Sequence, residues 1–157
     1  MSARSYNPHN ILIVSLTPVR LWPTTASGAM DVLGCRPMKD FPGSVRHPAN
    51  LIAANAQHTD DIEGYVFDGA DGSQVAFWTC HADRTSTEHV HPYDEYLVVV
   101  AGAYTVTMHG RAFPLGPGDE LHILAGVAHG GRSAAGTRTI HHFAGRRVER
   151  SPNIQDA

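Results

Sequence analysis

From Asp61 onward, the chain consists of short apolar segments separated by glycine, proline or aspartate. The segments have the length of strands, as in "IEGYVFDG", "VAFWTCHA", "EYLVVVAG", "AYTVTM" and "TRTIHHF". No helical period of 3.6 residues persists in this half, and residue pairs suited to tight turns stand at Asp71-Gly72 and His109-Gly110. This pattern predicts an all-β domain, built as an antiparallel barrel or sandwich.

The regions on either side of these segments have a different texture. Prolines and glycines are scattered from Pro18 to Thr59, which excludes a long helix there. We therefore predict an irregular N-terminal arm with short strands over residues 1–60, a barrel over residues 61–148 and an exposed tail over residues 149–157. The charged run "AGRRVER" near the end is expected to be solvated.

Composition limits the classes of partner. The chain has 157 residues, so one domain can bury a substantial core without disulfides or a structural metal. With 17% charged residues and a net charge of -3, it offers no basic face for nucleic acid and no polybasic run for a membrane surface. Cys35 and Cys80 form no CxxC pair, which fits a reducing cytoplasm. The early apolar run Ile11 to Leu16 is too short to span a membrane and lacks a cleavage pattern. We expect a cytoplasmic protein with a small-molecule partner.

Histidine spacing points to a metal site. The chain has eleven histidines beside only twelve Lys and Arg, and "HVHPYDE" places two of them close to a glutamate. Side chains two residues apart on a strand share a face, so His89 and His91 can reach one ion. Glu95 can return beside them after a corner at residues 92–94. If Glu95 faces inward, the apolar residues that alternate with it also face inward.

These residues, with a second segment further along the chain, resemble the two signature motifs of the cupin superfamily. The first motif, H-x-H-x3-E-x6-G, is matched from His89 through Glu95 to Gly102. The second has the form G-x5-P-x-G-x2-H. Its matching positions are Gly118, Gly126 and His129.

Three neighbouring positions depart from the family pattern. Asp83 stands where a glycine is usual, Leu124 replaces a proline and Ser133 replaces an asparagine. These positions shape turns and do not coordinate metal, so the departures concern local geometry rather than the ligand set.

The resemblance implies a double-stranded β-helix of the cupin type, a jelly-roll barrel, with the metal ligands facing inward at one end. The implied ligands are His89, His91, Glu95 and His129. Three imidazole nitrogens and one carboxylate oxygen would hold one divalent transition metal ion, and iron, manganese, nickel, copper, cobalt and zinc all accept such a set.

Tyr93, His141 and His142 are further candidates for catalytic roles. One of the two adjacent histidines must face into the barrel, where it could support the metal or act as a general base, or simply bond a neighbouring strand. Tyr93 could orient an imidazole or only form the corner. Arg132 could meet a carboxylate substrate at the barrel mouth or be solvated.

We expect a metal-dependent enzyme acting on a small molecule, either a dioxygenase-like oxidoreductase or a Lewis-acid isomerase, cyclase or lyase. The alternative is a metal-anchored module that binds or senses a small molecule. A storage role would predict duplication of the H-x-H segment, and the sequence contains no such repeat. The apolar segment "NILIVSL" could support a homodimer by strand exchange.

Overall fold

A computed structural model describes residues 38–52 and 61–149 of the chain. Most of the predicted arm, including the "NILIVSL" segment, and residues 150–157 of the predicted tail lie outside the described residues. Within the described ranges, no helix has the length and apolarity needed to cross a membrane. The elements of this part are a 3-10 turn (Pro48–Asn50) and the strands β1 (Ile62–Asp68), β2 (Gln74–Cys80), β3 (Arg84–Thr85), β4 (Glu95–Ala101), β5 (Tyr104–Met108), β6 (Arg111–Leu115), β7 (Glu120–Ile123), β8 (His129–Ser133) and β9 (Arg138–Phe143).

The strands form two antiparallel sheets. The larger sheet has the order β1-β2-β9-β4-β7 and the smaller one the order β3-β8-β5-β6. Strands from opposite ends of this region are therefore hydrogen-bonded neighbours, as β2 and β9 are. The arrangement confirms the all-β prediction and is the jelly-roll barrel that the sequence resemblance implies.

Both predicted tight turns lie where expected. Gly72, between β1 and β2, has a φ of 86°. His109 and Gly110, between β5 and β6, have φ angles of 51° and 70°. Two successive positive φ angles give a turn whose twist matches that of paired antiparallel strands, which explains the choice of glycine there.

Alternation along β4 sends its apolar residues inward, as predicted from the position of Glu95. Leu97 and Val99 are each 1% exposed, and Leu97 packs with Val106 and Ile123 between the two sheets. A second cluster lies beneath β1 and β2. Its buried members are Ile52, Val66, Ala76, Phe143 and Val148.

The segment that carries His89 and His91 is less regular than predicted. The sequence placed His89 and His91 on a strand, but in the structure Thr85 pairs with Arg132 and the next pair is an isolated bridge between His89 and His129. Three residues on one side (86–88) therefore lie opposite two on the other (130–131), which interrupts the ladder as a β-bulge does. The interruption lies directly before the histidines.

The segment after β9 packs against the barrel. Val148 belongs to the buried core, and the buried side chain of Gln74 holds the backbone beside it. Gln74 Oε1 accepts hydrogen bonds from the backbone nitrogens of Arg147 (2.6 Å) and Val148 (2.9 Å), and Gln74 Nε2 donates to the Val148 carbonyl (3.0 Å). The prediction of a solvated run was wrong for Arg147 and Val148, because a glutamine on β2 binds their backbone, whereas Arg146 and Glu149 are exposed.

Candidate metal centre

Three imidazoles converge inside one end of the barrel. His129 begins β8 and pairs with His89, and His91 follows two residues after His89. One ring nitrogen from each lies within 4.8 Å of the others. His91 and His129 are buried and His89 is half-buried. The three histidines are therefore positioned to bind a metal ion.

Each of the three rings is oriented in the same way by a backbone carbonyl. The Nδ1 atoms of His89, His91 and His129 lie 3.0, 2.6 and 2.9 Å from the carbonyl oxygens of residues 87, 93 and 127. A carbonyl oxygen can only accept, so Nδ1 carries a proton, and in the neutral ring Nε2 then carries the lone pair. This is the tautomer in which imidazoles coordinate metal through Nε2, with the other nitrogen held by a second partner.

The Glu95 carboxylate lies against two of these nitrogens. Its Oε2 atom is 2.9 Å from His91 Nε2 and 3.3 Å from His129 Nε2. An unprotonated Nε2 and a carboxylate oxygen repel each other at such distances unless positive charge lies between them. Either extra protons on the imidazoles or a cation must supply that charge, so the residues present fit a metal ion.

The pKa shifts of Glu95 and His129 each favour the charged form of the group. Burial alone would raise the pKa of Glu95, but hydrogen bonds from His129, His141 and His91 outweigh it and hold that pKa well below its usual range. Burial alone would lower the pKa of His129, but its hydrogen bonds to Glu95 and the residue 127 carbonyl raise it. The site thus stabilises an anionic carboxylate next to positive charge.

His141 occupies the barrel interior in a different role from the three converging histidines. It is buried on β9, and its Nδ1 atom is 2.5 Å from Glu95 Oε1, while its Nε2 atom is 2.9 Å from the Thr139 hydroxyl. The carboxylate must accept from Nδ1, so Nε2 accepts from the hydroxyl. Both ring nitrogens are therefore engaged, and His141 holds the carboxylate in place.

The other two predicted candidates lie in different settings. His142 is exposed on the opposite face of β9, and the structure does not bring it to the site. Tyr93 is half-buried and stacks on the His91 ring, with centroids 4.5 Å apart and planes 7° from parallel. The Tyr93 carbonyl also accepts the hydrogen bond from His91 Nδ1. Tyr93 therefore orients this imidazole through both its ring and its backbone.

A cavity of about 90 Å³ adjoins the histidines and the carboxylate. Its walls include apolar side chains from both sheets together with Trp78 and Tyr104. Arg147 also lines it, whereas Arg132 is exposed on β8. Sequence reasoning missed Arg147 because the residue stands in a charged run. The one available signal was Val148, an apolar residue inside that run.

Comparison with known proteins agrees with this architecture. The family model described as "Cupin domain" matches residues 76–141. The solved structure of KdgF from Halomonas sp. is 22% identical with a TM-score of 0.50, covering 54% of this chain and 80% of that chain. An RmlC-like cupin from Shewanella frigidimarina is 17% identical with a TM-score of 0.52, covering 59% of this chain and 80% of that one.

A third solved structure belongs to a much longer protein. A variant of salicylate 1,2-dioxygenase from Pseudoaminobacter salicylatoxidans is 14% identical with a TM-score of 0.51, covering 54% of this chain and 26% of that chain. At such identities the likeness shows the fold alone. No curated protein matches the sequence significantly. The motifs, the sheet topology and the family match agree on a cupin-type barrel, and the matched residues 76–141 form a cupin domain.

Proposed function

We propose that the chain is a metal-dependent enzyme that acts on a small molecule in the cavity, with Glu95 as the fourth ligand beside the three histidines. The observation that carries the proposal is the common orientation of the imidazoles, in which three carbonyls hold three Nδ1 protons. This orientation directs nitrogen lone pairs towards one another and towards a carboxylate. Such a set serves a transition metal ion better than it serves packing.

The surrounding residues suit chemistry on a substrate shielded from water. Leu97, Val106 and Ile123 are almost fully buried and form an apolar wall of the cavity. Tyr104 also lines it, and burial raises the pKa of its phenol, so the hydroxyl stays protonated and can donate a hydrogen bond at neutral pH. When bound, the ion supplies redox chemistry with dioxygen or Lewis-acid polarisation of a substrate carbonyl. A dioxygenase is among the proteins that share this fold, so the fold is compatible with the oxidative version.

One observation favours the second candidate function, a metal-anchored module that binds or senses a small molecule. Both nitrogens of His141 are engaged, by Glu95 and by Thr139. Among the residues that line the cavity, no histidine or carboxylate therefore stands outside the candidate ligand set with a nitrogen or oxygen ready to act as a general base. A reaction that requires a general base would have none among these residues, and this favours the binding role.

Metal analysis tests the proposal directly. The protein is purified without a histidine tag, and its metal content is measured for the wild type, Glu95→Ala, His129→Ala and the control His122→Ala. His122 is exposed on β7 and forms a hydrogen bond with the Asp94 side chain, so its replacement leaves the candidate metal ligands in place. We expect the first two variants to lose most of the metal and the control to retain it. Undiminished metal in both site variants would contradict the ligand assignment.

Activity measurements then separate the candidate functions. Oxygen consumption by the iron-loaded protein with a panel of small metabolites identifies the oxidative version, and turnover without oxygen uptake identifies the Lewis-acid version. Saturable binding without turnover of any bound compound favours the binding module. Homodimer formation stays a prediction, and light scattering that gives the mass of one chain would contradict it.

A further inference from the structure

Six of the residues that line the cavity carry a hydroxyl or a thiol, and four of these groups are hydrogen-bonded within the barrel. The four belong to Cys80, Ser86, Thr137 and Thr139, which bond Ala82, Gly131, Ala103 and His141 respectively. The other two groups, the hydroxyl pair, belong to Tyr104 and Ser133, and Ser133 is only 6% exposed. Within residues 38–52 and 61–149, neither hydroxyl of this pair has a hydrogen-bond partner.

The hydroxyl pair shares the inner face of β8 with the candidate metal centre. Tyr104 on β5 pairs directly with Ser133, and the other end of β8 carries His129. His129, Gly131 and Ser133 alternate as the buried residues of this strand, so all three face the barrel interior. Successive residues on one face of a strand are about 6–7 Å apart. The hydroxyl pair therefore lies a short way beyond the metal centre, in the same cavity.

Gly131 provides the space that the Tyr104 phenol occupies. A Cβ atom at residue 131 would overlap the Tyr104 hydroxyl oxygen and lie 2.8 Å from Cε2 of the ring. The φ angle of Gly131 is not positive, so its backbone is compatible with other residues and the requirement for glycine is one of space. Although the Tyr104 backbone pairs with Ser133, its hydroxyl reaches the next inward residue towards His129. The phenol thus extends along β8 towards the candidate metal centre.

The phenol of Tyr104 is a hydrogen-bond donor at neutral pH. Burial, the main cause, and the Glu95 charge both raise its pKa, so it keeps its proton. A buried hydroxyl without a partner costs free energy, and a ligand atom that accepts its hydrogen bond recovers that cost. Because the hydroxyls are neutral, they can bind an uncharged group without placing a further charge among the apolar walls.

We infer that the hydroxyl pair binds an uncharged, carbonyl-containing group of the small molecule that the cavity takes, with Tyr104 as the donor to the carbonyl oxygen. A serine hydroxyl donates and accepts, so Ser133 suits the adjacent N–H or oxygen of the same group, as in an amide. Gly131 is a positioning residue, because it acts through the phenol. The inference rests on the proposed function and names its substrate class: a compact molecule with one group for the metal centre and an uncharged carbonyl beyond it.

Two matched pairs of hydroxamate ligands test the inference. N-hydroxymalonamide is compared with isovalerohydroxamic acid, and N-hydroxysuccinamide with isocaprohydroxamic acid. Within each pair, an isopropyl group of the same shape replaces a terminal amide, while the hydroxamate that chelates zinc is unchanged. Calorimetric titration of the zinc-loaded and the metal-free protein gives the ratio of the two affinities in each pair.

The titrations compare the wild type with four site variants and two controls. The site variants are Tyr104→Phe, Ser133→Ala, Gly131→Ala and the double variant that combines Tyr104→Phe with Gly131→Ala. The first control, Tyr96→Phe, alters a tyrosine that is 39% exposed on β4. The second control, Gly130→Ala, adds a methyl group on the opposite face of β8, where the nearest contact of a Cβ atom is 3.4 Å.

We expect at least one amide ligand to bind the zinc-loaded wild type more tightly than its isopropyl partner, because the isopropyl group leaves the hydroxyl pair without a bond. Tyr104→Phe and Ser133→Ala should each reduce this preference about two- to tenfold, the usual contribution of one hydrogen bond. Gly131→Ala should match Tyr104→Phe, and the double variant should lose no more than either, because both changes act on one phenol. The controls should keep the preference. Equal binding within both pairs, an unchanged preference in Tyr104→Phe, or no binding of any ligand would overturn the inference.

The same samples distinguish the inference from the proposed function and from a structural role. If the wild type holds no metal even after incubation with zinc, the proposed function fails, and the preference of the metal-free protein decides the inference. Tyr104→Phe removes a hydroxyl without a partner in the described part of the barrel, so its melting temperature should equal or exceed that of the wild type. A lower melting temperature with an unchanged preference would make the hydroxyl structural and the inference wrong.

Discussion

The Nδ1 atom of His141 lies 2.5 Å from Oε1 of Glu95, so a histidine of the last strand holds a carboxylate of the fourth. The other carboxylate oxygen faces His91 and His129. The two oxygens thus have separate partners: one is held by the barrel and the other is directed to the candidate metal. The rotation of the carboxylate is fixed before any ion binds.

His141→Ala is expected to weaken metal binding about ten- to a hundredfold, the usual effect of removing a group that orients a ligand. The reason is that Glu95 Oε1 loses its donor and the carboxylate can rotate. Competition against a chromogenic chelator measures the affinity. The control is His142→Ala, which removes the adjacent imidazole from the exposed face of the same strand. Equal affinities for the two variants would show that His141 does not position the carboxylate.

Gly102→Ala is expected to destabilise the fold more than Gly72→Ala. Both glycines have positive φ, 82° and 86°, so both substitutions carry a strain of about 1–2 kcal/mol. A Cβ at Gly102 would lie 2.6 Å from the Thr137 Cα, whereas one at Gly72 meets nothing within 4 Å. The difference in unfolding free energy from urea titration should be about 1–3 kcal/mol, the cost of overpacking. Matching values would mean that the backbone at Thr137 moves aside freely.

Gln74→Leu is expected to lower the free energy of unfolding by on the order of 3 kcal/mol. The leucine fills similar space but leaves the Arg147 and Val148 backbone groups without their side-chain partner, and each unsatisfied buried group costs about 1–3 kcal/mol. Urea denaturation followed by fluorescence measures the change. A loss below about 1 kcal/mol would indicate that water replaces the Gln74 amide and that its hydrogen bonds contribute little to stability.

Metal binding is expected to stabilise the native state. Because the three imidazoles converge only in the folded barrel, an ion at about a hundred times its Kd should add about 2.7 kcal/mol. A thermal scan of chelator-treated protein, repeated with increasing zinc, should show a melting temperature that rises with the free ion. The His129→Ala variant provides the comparison and should respond little. A wild-type melting temperature that does not change with zinc concentration would argue against a metal site in the folded state.

Local sequence patterns predicted much of the barrel. The turns at Asp71-Gly72 and His109-Gly110 were found because glycine supplies the backbone angles that such turns need. The inward direction of Leu97 and Val99 followed from alternation along one strand. Both signals are contained within a few residues, so one sequence was sufficient to read them.

Contacts between distant segments were not predictable in the same way. Gln74 and Val148 are 74 residues apart, and His141 and Glu95 are 46 apart. Alternation showed that one of His141 and His142 faces inward but could not tell which, since the choice depends on the register of β9 against β4. The position of Arg147 depends on hydrogen bonds from the backbone of residues 147 and 148 to Gln74, which no local pattern of charges reveals.

The hydrogen bonds between Gln74 and the backbone of residues 147 and 148 can form only late in the synthesis of the chain. The ribosome releases β2 long before residues 147 and 148, so the Gln74 amide waits without its backbone partners while the rest of the barrel is made. Its hydrogen bonds and the guanidinium of the cavity arrive together, in the same short stretch of chain. A newly made barrel therefore acquires the Arg147 charge that lines its cavity only in the step that completes its core.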